Sequence, residues 1–263
     1  MPQPVQLNTP LRSKLSLPSK LAGEAKDVEV NSPSASSASP AISNNRRQQY
    51  ATWDATARAT LMGNCPYDIV VVGTSLGGLH ALEILLAGLP KGLPISVAIA
   101  QHRHKNSDNT LSVFLQRHCP LPLSEAEDKE AIEPGHVYLA PADYHLLVES
   151  GRFALSTEAP VCHARPSIDV LFETAADAYG ERAIGVILTG ASDDGARGLA
   201  SIKANGGLAI VQEPSTAECA TMPKAAINVL RQRSANATIA IDWILPLCDI
   251  APLIVNLCHP ALR

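Results

Sequence analysis

Aromatic residues are scarce in this chain of 263 residues, where Phe, Trp and Tyr together make up 4% of the sequence. Surfaces that bind single-stranded nucleic acid stack bases on aromatic side chains, so this composition disfavours such a surface. The formal net charge is −4 at pH 7, which also disfavours a polyanionic partner. We therefore expect that the protein has no nucleic-acid partner.

Long apolar runs and paired cysteines are missing as well. No run of about 18 apolar residues occurs, so we expect neither a transmembrane helix nor membrane insertion. The N-terminal segment MPQPVQL lacks the basic and apolar regions of a signal peptide. The six cysteines form no C-x-x-C pair, which favours reduced thiols over a zinc site. These features fit a cytoplasmic enzyme or binding protein.

The composition changes near residue 66. Residues 1–60 are rich in Ser, Pro, Ala, Asn and Gln, and they contain the low-complexity run NSPSASSASPAIS. Such a segment buries too little apolar surface to offset the entropy of folding. It is predicted to be a disordered tail or linker, with a docking segment for a partner as the alternative. Residues 61–258 are predicted to form one folded domain.

Strand-like and helix-like patterns alternate from Tyr67 onward. The predicted strands are Asp68–Val72, Ile95–Ala100, His136–Leu139, Ala183–Leu188 and Leu208–Val211. The predicted helices include Ile168–Tyr179, Ala196–Ala204, Pro223–Leu230 and Leu245–Leu257. A small β-hairpin is predicted where His145–Val148 is followed by Arg152–Leu155. This alternation predicts an α/β fold, a doubly wound and mostly parallel sheet with helices on both faces.

Ser75 lies in the segment VVVGTSLGG, where an apolar run ends in Gly-Thr-Ser and two glycines precede a helical pattern. This arrangement predicts a tight turn from a strand into a helix, with the serine hydroxyl at the helix N-terminus. A serine in this position serves as a nucleophile, as a phosphate ligand or only as a helix cap. The segment alone leaves these three interpretations open.

A histidine and an aspartate follow two other predicted strands. His102 comes after the second strand, and Asp194 comes after the strand Ala183–Leu188. The carboxyl ends of parallel strands meet at one edge of the sheet, so we expect both side chains near Ser75. Ser, His and Asp together are the groups of a serine hydrolase. His104 and Asp193 compete for the same two roles.

Nucleotide binding is the main alternative. Gly73, Gly77 and Gly78 depart from the spacing G-x-G-x-x-G, and the second strand ends in Gln101-His102 instead of an acidic ribose ligand. A Walker A loop is excluded because the sequence has no G-K-[ST]. The segment GTSLG does fit the G-x-S-x-G elbow of α/β-hydrolases, but the chain order Ser, His, Asp differs from theirs.

Several segments, in order, resemble the catalytic domain of chemotaxis protein-glutamate methylesterases of the CheB type. They are GTSLGG (73–78), QH (101–102), YLAP (138–141) with His145, RPSIDVLF (165–172), LTG through DG (188–195), TMPKAA (221–226) and LPL through IAPL (245–253). The resemblance covers residues 67–257. It departs from the family at Gly190-Ala191-Ser192, where members often have Gly-Met-Gly.

The resemblance implies roles for individual residues. Ser75 would be the nucleophile, His102 the general base and Asp194 the acid that orients it. The backbone N–H groups of Leu76 and Ala191 would hold the oxyanion. The substrate-binding residues implied in the same way are Thr74, Arg165, Met222 and Pro223.

The activity that the resemblance implies is hydrolysis of glutamate methyl esters on chemoreceptors or related sensory proteins, with deamidation of receptor glutamine as a second activity. Many family members carry an N-terminal receiver domain, whereas the residues that precede the resembling segment here are too few and too polar for one. The resemblance therefore implies a stand-alone enzyme, with a regulatory protein in trans as a candidate partner. A different serine hydrolase and a catalytically silent binding module remain alternatives.

Overall fold

The structure, a computed structural model, describes residues 65–234 and 240–258. The predicted disordered tail, residues 1–60, lies outside the described residues, so both the tail and the domain boundaries 61–258 stay predictions. In the part of the chain that the structure describes, no helix is long and apolar enough to span a bilayer. The six cysteines are free thiols.

Strands and helices alternate along the described residues. The strands are β1 (Ile69–Thr74), β2 (Ser96–Gln101), β3 (Leu123–Glu125), β4 (Val137–Leu139), β5 (His145–Glu149), β6 (Arg152–Ser156), β7 (Ala183–Ile187), β8 (Leu208–Gln212) and β9 (Trp243–Leu245). The helices are α1 (Gly78–Ala87), α2 (Thr110–Gln116), α3 (Ile168–Tyr179), α4 (Ala196–Ala204), α5 (Thr221–Ser234) and α6 (Leu247–Cys258).

Seven of these strands form one sheet in the order β3-β4-β2-β1-β7-β8-β9. Every neighbouring pair in that sheet is parallel. Strands β5 and β6 form a separate antiparallel hairpin. The predicted fold class, a doubly wound and mostly parallel sheet with a small hairpin, is confirmed.

The core lies on both faces of the sheet, and β1 shows why. Its side chains alternate, with Ile69 and Val71 packed in one apolar cluster and Val70 and Val72 in the other. Helices α3, α4 and α5 and the hairpin cover the first face, whereas α1, α2 and α6 cover the second. A strand that is buried on both faces needs apolar residues at consecutive positions, which explains the continuous apolar runs in the sequence.

The structure differs from the sequence-based prediction at the edges of the sheet. Strands β3 and β9 were not expected, and each has only three residues at one edge. A strand of that length has too few positions to display a period. Helices α3 and α4 have the predicted bounds, whereas α5 is longer than predicted and begins at Thr221.

Strand β1 lies at the centre of the sheet, and its position determines where the site lies. It pairs with β2 on one side and with β7 on the other, so that Thr74 lies opposite Gln101 and Gly73 opposite Ile187. The loops that follow these three strands therefore leave the sheet side by side at its carboxyl edge. Ligands of doubly wound sheets bind at this edge.

Candidate active site

Ser75 lies in the turn between β1 and α1, and its backbone holds the turn to both neighbouring strands. Its N–H donates to the Thr189 carbonyl over 3.0 Å. Its carbonyl accepts from the Gly78 N–H over 2.9 Å and from Gln101 Nε2 over 3.0 Å. The side chain is half-buried, and its hydroxyl makes no hydrogen bond with any described residue. The hydroxyl is therefore free to react.

The two glycines after Ser75 are required by the shape of this turn. Gly77 has a φ of 79°, and a Cβ there would lie 2.7 Å from Cβ of Glu218. A Cβ on Gly78 would lie 2.1 Å from Oε1 of Gln101. Both distances are shorter than a carbon contact allows, so close packing accounts for the glycine pair without a bound phosphate.

His102 follows β2 and forms a hydrogen bond with Asp194. The distance from His102 Nε2 to Asp194 Oδ2 is 2.8 Å. The histidine side chain is 15% exposed and the aspartate side chain is fully buried. The His102 backbone N–H also donates to the Thr74 carbonyl over 3.0 Å, which fixes its backbone beside the turn of the serine. Nδ1 is the ring nitrogen that does not contact Asp194.

The carboxylate of Asp194 is held by the N-terminus of α3 as well as by His102. Oδ1 accepts from the Ser167 hydroxyl and the Asp169 N–H, each over 2.9 Å. Oδ2 accepts from the Ile168 N–H over 2.7 Å. Burial acts to raise the pKa of Asp194, but these hydrogen bonds and the His102 charge outweigh it, and the pKa lies below its usual value. The aspartate therefore stays ionised.

Asp193 and His104, the two rivals for the roles of acid and base, lie outside the contact between His102 and Asp194. Asp193 is exposed, and its carbonyl accepts from the Ala196 N–H at the start of α4. His104 is exposed too, and its Nδ1 accepts from the Asn106 N–H. The pair that meets at the sheet edge is His102 with Asp194.

Asp169, which the sequence analysis did not single out, secures the loop that carries the aspartate. Its Oδ1 accepts from the N–H groups of Gly195 and Gly198 over 2.9 and 2.8 Å. Its Oδ2 accepts from Arg197 Nε over 2.9 Å. These bonds join the N-termini of α3 and α4. The sequence did contain a signal for the position of Asp169. Ser167 is a helix-capping residue directly before a helical pattern, and Asp169 lies in the first turn of that pattern.

The predicted oxyanion donors lie on two neighbouring turns. A Cβ on Gly190 would lie 3.0 Å from the Ser75 Cβ, so the loop after β7 packs directly against the serine. Leu76 and Ala191 are both exposed, and their N–H groups donate to no acceptor among the described residues. Both groups are therefore available to a ligand, and their role as oxyanion donors stays a prediction.

Three of the predicted substrate-binding residues are buried. The Thr74 hydroxyl donates to the Thr189 carbonyl over 2.8 Å. The Met222 N–H donates to the Gly190 carbonyl over 2.9 Å, and the Met222 side chain packs against Gly190. Pro223 is buried at the start of α5. These contacts hold the loop after β7 in place next to Ser75. Contact of these three residues with substrate stays a prediction.

Arg165 lines an open cleft that reaches His102. Its guanidinium donates to Asp143 Oδ1 over 3.1 and 2.6 Å and to the carbonyls of Thr157 and Glu158. The cleft has a volume of about 490 Å³. The residues that line it are His102, Arg103, His104, Lys105, Asp143, Pro160, His163, Ala164, Arg165 and Pro166.

A cluster of potential metal ligands also adjoins the site. Ligand atoms of Cys162, Asp169 and Asp194 lie within 4.8 Å of one another. The oxygens of both carboxylates already accept hydrogen bonds from N–H or hydroxyl groups. Arg197 Nη2 lies 3.6 Å from the Cys162 sulfur and adds a positive charge. This donor set suits hydrogen bonds better than a cation.

Comparison with known proteins places this site in a family. Residues 70–254 match the sequence profile described as CheB methylesterase. A protein from Leptospira interrogans named putative protein-glutamate methylesterase/protein-glutamine glutaminase is 45% identical over 192 residues, which are 73% of this chain and 95% of that protein. A protein from Moorella thermoacetica named protein-glutamate methylesterase/protein-glutamine glutaminase is 40% identical over 195 residues, which are 72% of this chain and 44% of that protein.

A solved structure agrees with the sequence relatives. The Thermotoga maritima CheB methylesterase catalytic domain superposes with a TM-score of 0.66 at 32% sequence identity, covering 73% of this chain and 98% of that domain. The resemblance found in the sequence is therefore confirmed. On the evidence of the profile, the relatives and the fold together, this chain belongs to the CheB methylesterase family.

Proposed function

We propose that this protein is a protein-glutamate methylesterase that hydrolyses the γ-methyl esters of glutamate side chains on chemoreceptors and releases methanol. The observation that carries the proposal is the 2.8 Å hydrogen bond between His102 and the buried Asp194. The His102 backbone is bonded to Thr74, the residue before Ser75. The names of the relatives support the same reaction. The chemistry is that of a serine esterase.

Acylation, in this proposal, uses the three side chains in turn. Asp194 holds His102 through Nε2, so Nδ1 is the nitrogen that accepts the proton of the Ser75 hydroxyl. The serine Oγ attacks the ester carbonyl, and the N–H groups of Leu76 and Ala191 donate to the oxyanion that forms. When the intermediate collapses, the C–O bond to the methoxy group breaks. Methoxide takes the proton from the imidazolium and leaves as methanol.

In deacylation, water takes the place of serine as the nucleophile, and Ser75 becomes the leaving group. His102 takes a proton from water, the hydroxide attacks the acyl carbonyl, and Ser75 leaves with the proton from the imidazolium. The product is a free glutamate, which adds a negative charge to the receptor. A glutamine side chain yields the same acyl-enzyme with ammonia as the leaving group, so we also propose protein-glutamine glutaminase activity.

The proposed substrate also implies a partner protein and a location in the cell. A methylated chemoreceptor, or a related sensory protein, is the partner, and the reaction takes place in the cytoplasm as part of sensory adaptation. A regulatory protein in trans would control the enzyme, and the N-terminal residues 1–60 are the proposed tail or linker. No nucleic acid, metal or organic cofactor takes part in this scheme.

Methanol release from a methylated chemoreceptor fragment tests the proposal. We expect release by the wild type and a loss of about a thousandfold or more in Ser75→Ala, because the nucleophile is removed. Ser150→Ala, in the exposed turn of the β5–β6 hairpin, is the matched control and should keep full activity. Equal release by Ser75→Ala and the wild type, or no release by the wild type, would refute the proposal.

A further inference from the structure

The open cleft beside His102 carries an excess of positive charge that the ester reaction does not use. Its lining contains two arginines, one lysine and three histidines, but only one acidic residue. The acidic residue, Asp143, is already paired with Arg165 at 2.6 Å. Arg103 is paired with Glu125, so Lys105 is the lining cation that has no acidic partner among the described residues. A ligand that enters the cleft therefore meets a net positive charge.

Arg103 is the most unusual of these groups. Its side chain is 7% exposed, so a positive charge lies almost fully buried at the cleft. Nη2 donates to Glu125 Oε1 over 2.7 Å and to the Ala140 carbonyl over 2.8 Å. Nε and Nη1 are buried and have no hydrogen-bond partner within the described structure. Buried donors are normally satisfied, because an unsatisfied one costs about 1–3 kcal/mol.

Lys105 and His104 form the outer wall on the same loop. Both residues are exposed. Lys105 takes part in none of the ion pairs found among the described residues, so its charge is available to a ligand. The loop begins at His102, so the charge of Lys105 lies three residues after the proposed general base and lines the same cleft.

Another part of the lining is a tight turn that presents an imidazole ring. Val161 and Ala164 exchange two backbone hydrogen bonds of 3.1 and 2.9 Å. Cys162 and His163, between them, have φ values of 49° and 61°. This left-handed conformation is costly for residues other than glycine, and strain of this kind concentrates at functional sites. His163 lines the cleft from this turn.

We propose that this cleft binds carboxylate side chains of the substrate protein that neighbour the esterified glutamate, an inference that rests on the proposed function. A carboxylate matches the positive charge that Arg103, Lys105 and Arg165 give to the cleft, and the exposed ammonium of Lys105 offers it free hydrogen-bond donors. The cleft is continuous with His102, so its occupant is a residue close to the scissile ester in the substrate. Each turnover also leaves a glutamate carboxylate, so earlier products on the same substrate become ligands of the cleft.

Binding to Ser75→Ala tests the cleft independently of catalysis. Two fluorescent peptides carry a central glutamine in place of the ester. One has glutamates, and the other has glutamines, at the positions one helical turn before and after it. We expect the acidic peptide to bind about fivefold more tightly at low salt, and the difference to shrink at high salt. Fluorescence anisotropy measures both dissociation constants.

Lys105→Gln, made in the same Ser75→Ala background, locates the effect. It should lower the ratio of the two dissociation constants about threefold, which is typical of one exposed ion pair. Lys91→Gln is the matched control, since Lys91 is equally exposed but precedes β2 at the opposite edge of the sheet. It should leave the ratio unchanged. Equal binding of the two peptides, or a ratio that Lys105→Gln does not alter, would overturn the proposal.

Methanol release from the corresponding methyl-ester peptides keeps the two hypotheses apart. If the wild type hydrolyses both esters with equal kcat/KM, the carboxylate subsite fails while the methylesterase function stands. If the wild type hydrolyses neither ester, the proposed function fails, and the anisotropy ratio still decides whether the cleft selects carboxylates. A lower KM for the acidic ester, reversed by Lys105→Gln, supports both.

Discussion

The hydroxyl of Ser167 donates to Oδ1 of Asp194 over 2.9 Å, and both side chains are fully buried. The same serine caps α3, because its Oγ accepts from the Val170 N–H. One side chain thus starts a helix and orients the carboxylate that holds His102. The proposed triad therefore depends on the N-terminus of α3 as well as on the loops of the sheet.

Ser167→Ala should lower kcat about tenfold, because Asp194 loses one of its four donors and its orientation toward His102 relaxes. Loss of the cap and of a buried hydrogen bond should also lower the free energy of unfolding by about 1–3 kcal/mol. Ser167→Thr keeps the hydroxyl and should restore kcat. Methanol release and urea denaturation measure the two effects. A threonine variant as inactive as the alanine variant would contradict this positioning role.

Asp194→Asn should reduce kcat by about 10⁴-fold while leaving the fold intact, since the amide keeps the size of the carboxylate but cannot hold the imidazolium. The comparison is Asp193→Asn, one residue earlier and exposed. That variant should keep nearly full activity. Initial rates of methanol release for both variants check the assignment, which would be wrong if the Asp193 change were the more damaging one.

Gly77→Ala should destabilise the domain and abolish most of its activity. The new Cβ would lie 2.7 Å from the Glu218 Cβ, and the alanine backbone would have to keep a φ of 79°. The turn that carries Ser75 must therefore move. Gly151→Ala is the control, because its φ of 75° carries the same backbone cost with nothing within 4 Å. That cost is about 1 kcal/mol. Thermal melts should show a larger loss for Gly77→Ala, and equal losses would argue against the clash.

His136 should make the folded state less stable as the pH is lowered from 6.5 to about 4. Burial lowers the pKa of this side chain from 6.5 to about 4. Between those values the unfolded state binds more protons than the folded state, so the free energy of unfolding falls as the pH falls. The full difference is about 3 kcal/mol at most.

His136→Asn isolates this contribution in urea titrations at several pH values. The variant should lose less stability than the wild type between pH 6.5 and 4. His80→Asn changes a histidine whose side chain is 74% exposed, and it should follow the wild-type curve. A His136 variant with an unchanged pH dependence would assign the acid sensitivity to other groups.

Local sequence patterns were sufficient for the main strands and helices and for placing three candidate catalytic residues after strands of the sheet. Ser75 and His102 follow apolar strands, and parallel strands deliver their following residues to one edge. The order of matching segments then identified the family. Short edge strands such as β3 and β9 escaped prediction because three residues display no period.

The sequence by itself therefore determined the fold class, the catalytic candidates and the family, because these depend on residue type, spacing and order along the chain. Only the tertiary structure decided which nitrogen of His102 meets Asp194, which hydroxyl supports that carboxylate, and that Arg103 retains two donors without partners. The reason is physical, since hydrogen bonds between residues far apart in the sequence form only when packing brings helix ends and strand ends together. No local pattern encodes those distances.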